Sequence, residues 1–124
     1  TGRMSDTSRH VTVWVNADWA RVYDIASDRS RLAEWAAGLA DPELGLEVAE
    51  FAPPNPYGVL DHVVRMPNGA EVFNPMRVIR ADTPGACEIV FTLRRREDQT
   101  AEQFDADAAA VTEDLTALKT LAER

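Results

Sequence analysis

The stretch from Thr100 to Arg124 constrains the fold of this chain more than any other. Thr100 and Gln103 have the spacing of a capping box, and Phe104, Ala108, Val111, Leu115, Leu118 and Ala122 follow at alternating intervals of four and three. The pattern predicts one long helix with one apolar face. Its other face carries Glu102, Asp105, Asp107, Glu113 and Asp114, with the acids toward the N-terminal half, where the macrodipole favours them, and Lys119 and Arg124 near the other end. A helix of this kind covers something, and the rest of the chain supplies mainly strands.

Val11 to Val15 alternates valine with larger or polar residues, the period of a half-buried strand. Asn16 reads as the N-cap of a helix from Ala17 to Ala26, and a second short helix is expected from Ser30 to Leu39 with Leu32, Trp35, Ala36 and Leu39 on one stripe. The period then becomes two. Leu44 to Phe51 reads as a strand, and Pro53-Pro54-Asn55-Pro56 forbids a ladder through the loop after it. Tyr57 to Met66 and Ala70 to Arg80 form a hairpin across Pro67-Asn68-Gly69, and Cys87 to Arg94 is a last alternating strand. This order is α+β, with a sheet needing cover on one face and the C-terminal helix available to provide it.

At 124 residues there is room for one core, so a single domain is expected over residues 9–124, with residues 1–8 a disordered or vector-derived lead. The net charge of −8 argues against nucleic acid and anionic membranes as partners, since both need a basic footprint. Cys87 is the single cysteine, so neither an intramolecular disulfide nor a cysteine-based metal site is expected, and a cytoplasmic location follows from that usage. His10 and His62 lie far apart in sequence and no HExxH, glycine-rich phosphate loop, GxSxG or dinucleotide fingerprint occurs, so no metal or cofactor is expected. No apolar run is long enough to span a membrane. Exposed sheet edges leave a homodimer open.

The chain resembles the START-like superfamily, also called SRPBCC or Bet v 1-like, and within it the small bacterial polyketide cyclase/dehydrase-like branch. The resemblance rests on Val11 to Val15 running into Asn16-Ala17 and Val22-Tyr23-Asp24, on Asp28 and Trp35, and on Asn74-Pro75-Met76-Arg77-Val78. It is completed by Phe91-Thr92-Leu93, Asp107-Ala108-Ala109 and Asp114-Leu115 through Leu121. It implies a helix-grip fold: a curved antiparallel sheet wrapped around the C-terminal helix, two short helices after the first strand, and a cavity for an apolar or aromatic, polyketide- or lipid-like small molecule. About four strands between Leu44 and Leu93, fewer than full-length members show, imply a small or partly filled cavity.

The turn fixes which residues face that cavity. With Pro67-Asn68 as corners and Gly69 as the bulge residue, Met66 faces Ala70, Val64 faces Val72, His62 faces Asn74, Leu60 faces Met76 and Gly58 faces Val78. That face is apolar except for His62 and Asn74, whereas Arg65, Glu71, Asp61 and Arg77 share the other and can pair across strands. Leu60, His62, Val64, Val72, Asn74 and Met76 are therefore expected to line the ligand site. Phe91 from the last strand and Phe104 and Val111 from the helix are expected to join them, with Trp35 and, at the mouth, Tyr57.

His62 and Asn74 are the candidate catalytic pair. An imidazole and an amide on an apolar wall can orient a ligand carbonyl or phenol, and His62 can move a proton near neutral pH. The bland alternative is that the two hydrogen-bond to each other in the core. Asp61 and His62 point to opposite strand faces and form no dyad. The Arg94-Arg95-Arg96 run can meet a ligand carboxylate at a cavity rim, or be solvated and balanced by Glu97 and Asp98. Three functions follow: binding without chemistry, an aromatase/cyclase-type enzyme with His62 as acid/base, or an interaction module with a collapsed cavity and the acidic helix face as its docking surface.

Overall fold

The computed structural model describes residues 8–124. Six strands and three helices follow in the order β1 (Ser8–Val15), α1 (Trp19–Ser27), a 3-10 helix (Arg29–Glu34), α2 (Ala37–Ala40), β2 (Glu47–Phe51), β3 (His62–Arg65), β4 (Glu71–Asn74), β5 (Met76–Arg80), β6 (Cys87–Arg94) and α3 (Ala101–Ala122). Two antiparallel sheets, ordered β1-β6-β5 and β2-β3-β4, meet through the loop before β3. There Leu60 donates its amide to the Met76 carbonyl at 2.8 Å, Val78 donates to Gly58 at 2.9 Å, and Val59 bridges Arg77. This is the α+β helix-grip architecture, with α3 packed along β1 and α1.

The expected return strand from Ala70 to Arg80 is broken in two at Pro75, which has no amide to give the ladder. Asp61 takes over locally: its carboxylate accepts the Met76 amide at 2.9 Å and pairs with Arg77 at 2.8 Å. The break lets the chain leave one sheet and enter the other, which produces the curvature and raises the strand number above the sequence expectation. The hairpin register is as the turn dictates, His62 opposite Asn74 and Val64 opposite Val72.

The region before the sheets differs in detail. Asn16 does not cap α1; Asp18 is the N-cap residue, and the Asn16 amide instead donates to the Glu123 carboxylate at 2.7 Å. The second helix is not continuous from Ser30 to Leu39. Asp28 accepts the Ser30 amide and closes a tight 3-10 turn, and Trp35, outside helical geometry at φ −140°, separates it from the single turn of α2. The residues of the lead expected over 1–8 lie outside the described residues, apart from Ser8, which already belongs to β1.

The C-terminal helix begins as its sequence requires. Thr100 and Gln103 make both reciprocal bonds of the capping box. At the far end Arg21 donates to the Ala122 carbonyl at 2.7 Å and Lys119 to the Trp14 carbonyl at 2.9 Å, so exposed carbonyls of α3 and β1 are held by cations. Leu115, Leu118, Leu121 and Ala122 are buried against Val15, Val22, Ile25, Cys87 and Ile89. This dense packing occupies the C-terminal half of the helix. The candidate site lies against the middle of the helix, from Asp107 to Leu115.

Candidate functional site

A cleft of about 380 Å³ opens between β3, β4 and β6 on one side, the middle of α3 on the second, and the segment from Trp35 to Leu46 on the third. The strands contribute His62, Val64, Val72, Asn74, Phe91 and Leu93, and the helix contributes Asp107, Val111, Asp114 and Leu115 at the three- and four-residue spacing of one face. Trp35, Leu39, Leu44 and Leu46 close the third wall.

His62 is buried on the strand wall, stacked on Phe51 at 5.8 Å between ring centroids and edge-on to Phe91 at 5.8 Å. Its Nδ1 lies 3.0 Å from the Leu60 carbonyl oxygen, so Nδ1 carries the proton and Nε2 is the acceptor. Burial pushes its pKa below the ordinary histidine value, against the opposing pull of the Leu60 carbonyl and the Asp61 charge. The ring is therefore a neutral acceptor at pH 7. Asp61 is turned to the other face, where it binds Arg77.

Asp114 is the second titratable group in the cleft. Burial, reinforced by the neighbouring Glu113 charge, pushes its pKa up to about 6, against the opposing pull of the nearby Ala37 amide. Asp107, two helical turns earlier, is held by the buried Gln99, whose side-chain amide donates to it. Arg94 and Arg96 border the cleft at that end, while Arg95 is directed to the Gln99 carbonyl at 3.0 Å. Cys87 is buried beneath the sheet; burial raises its pKa, and it is a neutral thiol against the Ala17 carbonyl. Among the described residues no cluster of three or more His, Cys, Asp or Glu is placed to hold a metal, and no helix is long and apolar enough to cross a membrane.

No protein-family model and no curated protein matches the sequence. Solved structures do match its shape. DynU16, a protein of the dynemicin biosynthetic locus, superposes with a TM-score of 0.68 at 16 % identity over 93 % of this chain and 46 % of its own. This chain thus spans about half the length of DynU16. Ara h 8.0201 gives a TM-score of 0.59 at 9 % identity, covering 93 % of this chain and 96 % of its own. A START superfamily protein from Mycobacterium smegmatis gives 0.59 at 13 % identity, covering 94 % and 97 %. The chain has the START/Bet v 1-like fold.

Within this START-like frame, seven of the residues singled out from sequence come together at the cleft: Trp35, His62, Val64, Val72, Asn74, Phe91 and Val111. Four do not. Leu60 and Met76 share the inward face of the hairpin, but they lie toward its Gly58 end, where the sheet is sealed against the core at 0 % and 2 % exposure. Phe104 is packed under the Arg9 guanidinium, one turn before the helix meets the cleft. Tyr57 stands 79 % exposed on the Pro-rich loop, which is tied to α1 where the Asn55 amide donates to the Tyr23 hydroxyl at 3.0 Å. Trp14 is exposed and Trp19 stacks on Tyr23, so Trp35 is the tryptophan that borders the cleft. His62 and Asn74 sit directly opposite each other, but the imidazole N–H is given to Leu60 instead of Asn74.

Sequence reasoning placed Asp107 and Asp114 on the outward acidic face, and the structure turns both toward the cleft. The signal was present in the spacing. Asp107, Val111, Asp114 and Leu115 repeat at intervals of four, three and one, so these acids belong to the margin of the apolar stripe.

Proposed function

We propose that this chain binds an apolar or aromatic small molecule, of polyketide- or lipid-like character, in the cleft between its strands and α3. The observation that carries the reading is the cleft itself: about 380 Å³, walled by Val64, Val72, Phe91, Leu93, Val111 and Leu115, with His62 and Asn74 on the strand wall and charged groups at Asp107, Asp114, Arg94 and Arg96. Pockets that hold drug-sized ligands start at roughly 300 Å³ and have this composition. The likeness to a START superfamily protein and to Ara h 8.0201 supports a binding role for the same frame. A void of this size disfavours the collapsed interior on which an interaction module would depend.

A second reading draws on His62. A neutral imidazole with Nε2 available, facing an amide across the strand pair, suits proton abstraction from an activated carbon while Asn74 holds the neighbouring oxygen, as in an aromatase/cyclase-type enzyme. Under it, His62→Gln retains ligand affinity within a few fold and ends turnover; equal loss of both removes the acid/base role.

The binding reading is tested with N-phenyl-1-naphthylamine, a neutral apolar fluorophore, titrated into the protein and into Val111→Trp, which fills the cleft from α3. Saturable one-site binding, weakened at least tenfold in the variant with its circular dichroism unchanged, is the expected result. No saturable binding, or equal affinity in the two proteins, overturns it.

A further inference from the structure

The strand wall of the cleft carries two polar side chains that the fold leaves unpaired. His62 is 7 % exposed, and its Nδ1 proton is given to the Leu60 carbonyl at 3.0 Å, which leaves Nε2 as an acceptor with no partner among the described residues. Buried acceptors are nearly always paired in folded proteins, and an unpaired one costs stability. Asn74 stands directly opposite in the β3–β4 ladder and also lines the cleft, and its side-chain amide makes no hydrogen bond among the described residues. Side chains of directly opposed residues leave the sheet about 5 Å apart, so one small ligand group can touch both. Neither is sealed away: among the described residues, Trp35 Nε1 alone is both closed off from solvent and without a partner. The imidazole is fixed in orientation by its Leu60 bond and by the Phe51 and Phe91 rings on either side.

We propose that His62 and Asn74 form a donor-selecting subsite, in which a ligand hydroxyl donates to His62 Nε2 and accepts from the Asn74 side-chain amide. This rests on the ligand-binding reading of the cleft and names the ligand class further: an apolar or aromatic alcohol or phenol. With its proton held on Nδ1, the neutral ring can only accept at Nε2, so the ligand must bring the proton. A hydroxyl offers one donor and two acceptor positions on a single atom and completes both partners at once. A ketone, ester or ether oxygen takes a bond from Asn74 but confronts Nε2 with a second acceptor. A ligand carboxylate does the same, and must also give up its hydration beside Phe91. The tautomer thus excludes the carbonyl ligand that the two residue types alone would equally accommodate.

The test compares three probes. 2-Naphthol carries the donor, 2-methylnaphthalene matches it in size without an oxygen, and 2-methoxynaphthalene keeps the oxygen as an acceptor without a donor. Each is titrated calorimetrically into the protein, His62→Phe and Asn74→Leu. The expected result is 2-naphthol binding about tenfold more tightly than either other probe, with that preference reduced to within about twofold in each variant. In the unsubstituted protein the His62 Nε2 nitrogen resonance is expected to move upfield with 2-naphthol and to stay in place with 2-methoxynaphthalene, a readout that needs neither variant to fold. Equal affinity of 2-naphthol and 2-methoxynaphthalene, a preference that survives either substitution in a folded variant, or an unmoved Nε2 resonance overturns the subsite and leaves the binding reading standing. Failure of all three probes to bind overturns the binding reading, and the subsite falls with it.

Discussion

Replacing Asp114 with Asn should make the protein more stable at alkaline pH, and by an amount that depends on pH in a defined way. The carboxyl moves from an ordinary 3.8 to about 6, because the ionised form loses hydration between α3 and the wall around Trp35 and gains no cation in return. At about 1.36 kcal/mol per pH unit, holding it ionised in the folded state costs roughly 3 kcal/mol, which access of water to the open cleft lowers to about 2 kcal/mol. The unfolded chain releases this proton near 3.8 and the folded chain near 6, so between those values the folded state binds more protons and stability falls as pH rises. Above about pH 7 the full cost is present. Asn removes the charge while keeping the size and shape of the side chain. Urea denaturation at pH 8 should therefore show Asp114→Asn more stable by about 2 kcal/mol, or roughly 8 °C in thermal midpoint for a chain of this length. At pH 5 about half of that difference should remain, and near pH 4 about a fifth. Any packing change from the substitution adds a constant offset, so the decisive quantity is how the difference varies with pH. A difference that is the same at pH 8 and pH 5 refutes the account of Asp114 as an unpaired carboxylate facing the cleft. The predicted gain bears on the proposed binding role, since functional sites commonly retain groups that cost stability.

Two further outcomes concern Gly58 and His62. Gly58 has φ +76°, and a Cβ there would collide with the Val78 carbonyl oxygen at the junction of the two sheets, so Gly58→Ala should lose about 3 kcal/mol or more by urea denaturation. A loss below about 1 kcal/mol would show that the backbones do not approach so closely. His62 should titrate below the ordinary histidine value of 6.5 and carry its proton on Nδ1 at pH 7, as read from ring nitrogen shifts by NMR. Its folded state resists protonation, so its contribution to stability is present above that value and declines as pH falls; an Nε2-protonated ring contradicts the Leu60 hydrogen bond, and titration above 6.5 contradicts the dominance of burial.

Much of this architecture is written locally and is legible for that reason. The capping box at Thr100, the three–four spacing from Phe104 to Ala122 and the turn at Pro67-Asn68-Gly69 each depend on residues within a few positions of one another. Because side chains alternate strictly along a strand, the turn alone set the register and put His62 opposite Asn74 and inside. What only the tertiary structure decided is how far along a shared face the layers stay in contact. Leu60, His62 and Val64 have the same facing, yet Leu60 is sealed in the core and the other two border a cleft, on opposite sides of the point where the chain breaks at Pro75 and passes from one sheet to the other. Asp114 shows the same limit from the helix side. Its spacing places it at the edge of the apolar stripe, where solvent and interior are one helical step apart, and only the packing of Trp35 and Ala37 against α3 turns that edge into the wall of a site. Local periodicity assigns a residue to a face, whereas the distance between packed layers, a sum over contacts remote in sequence, determines whether that face encloses a core or a cavity.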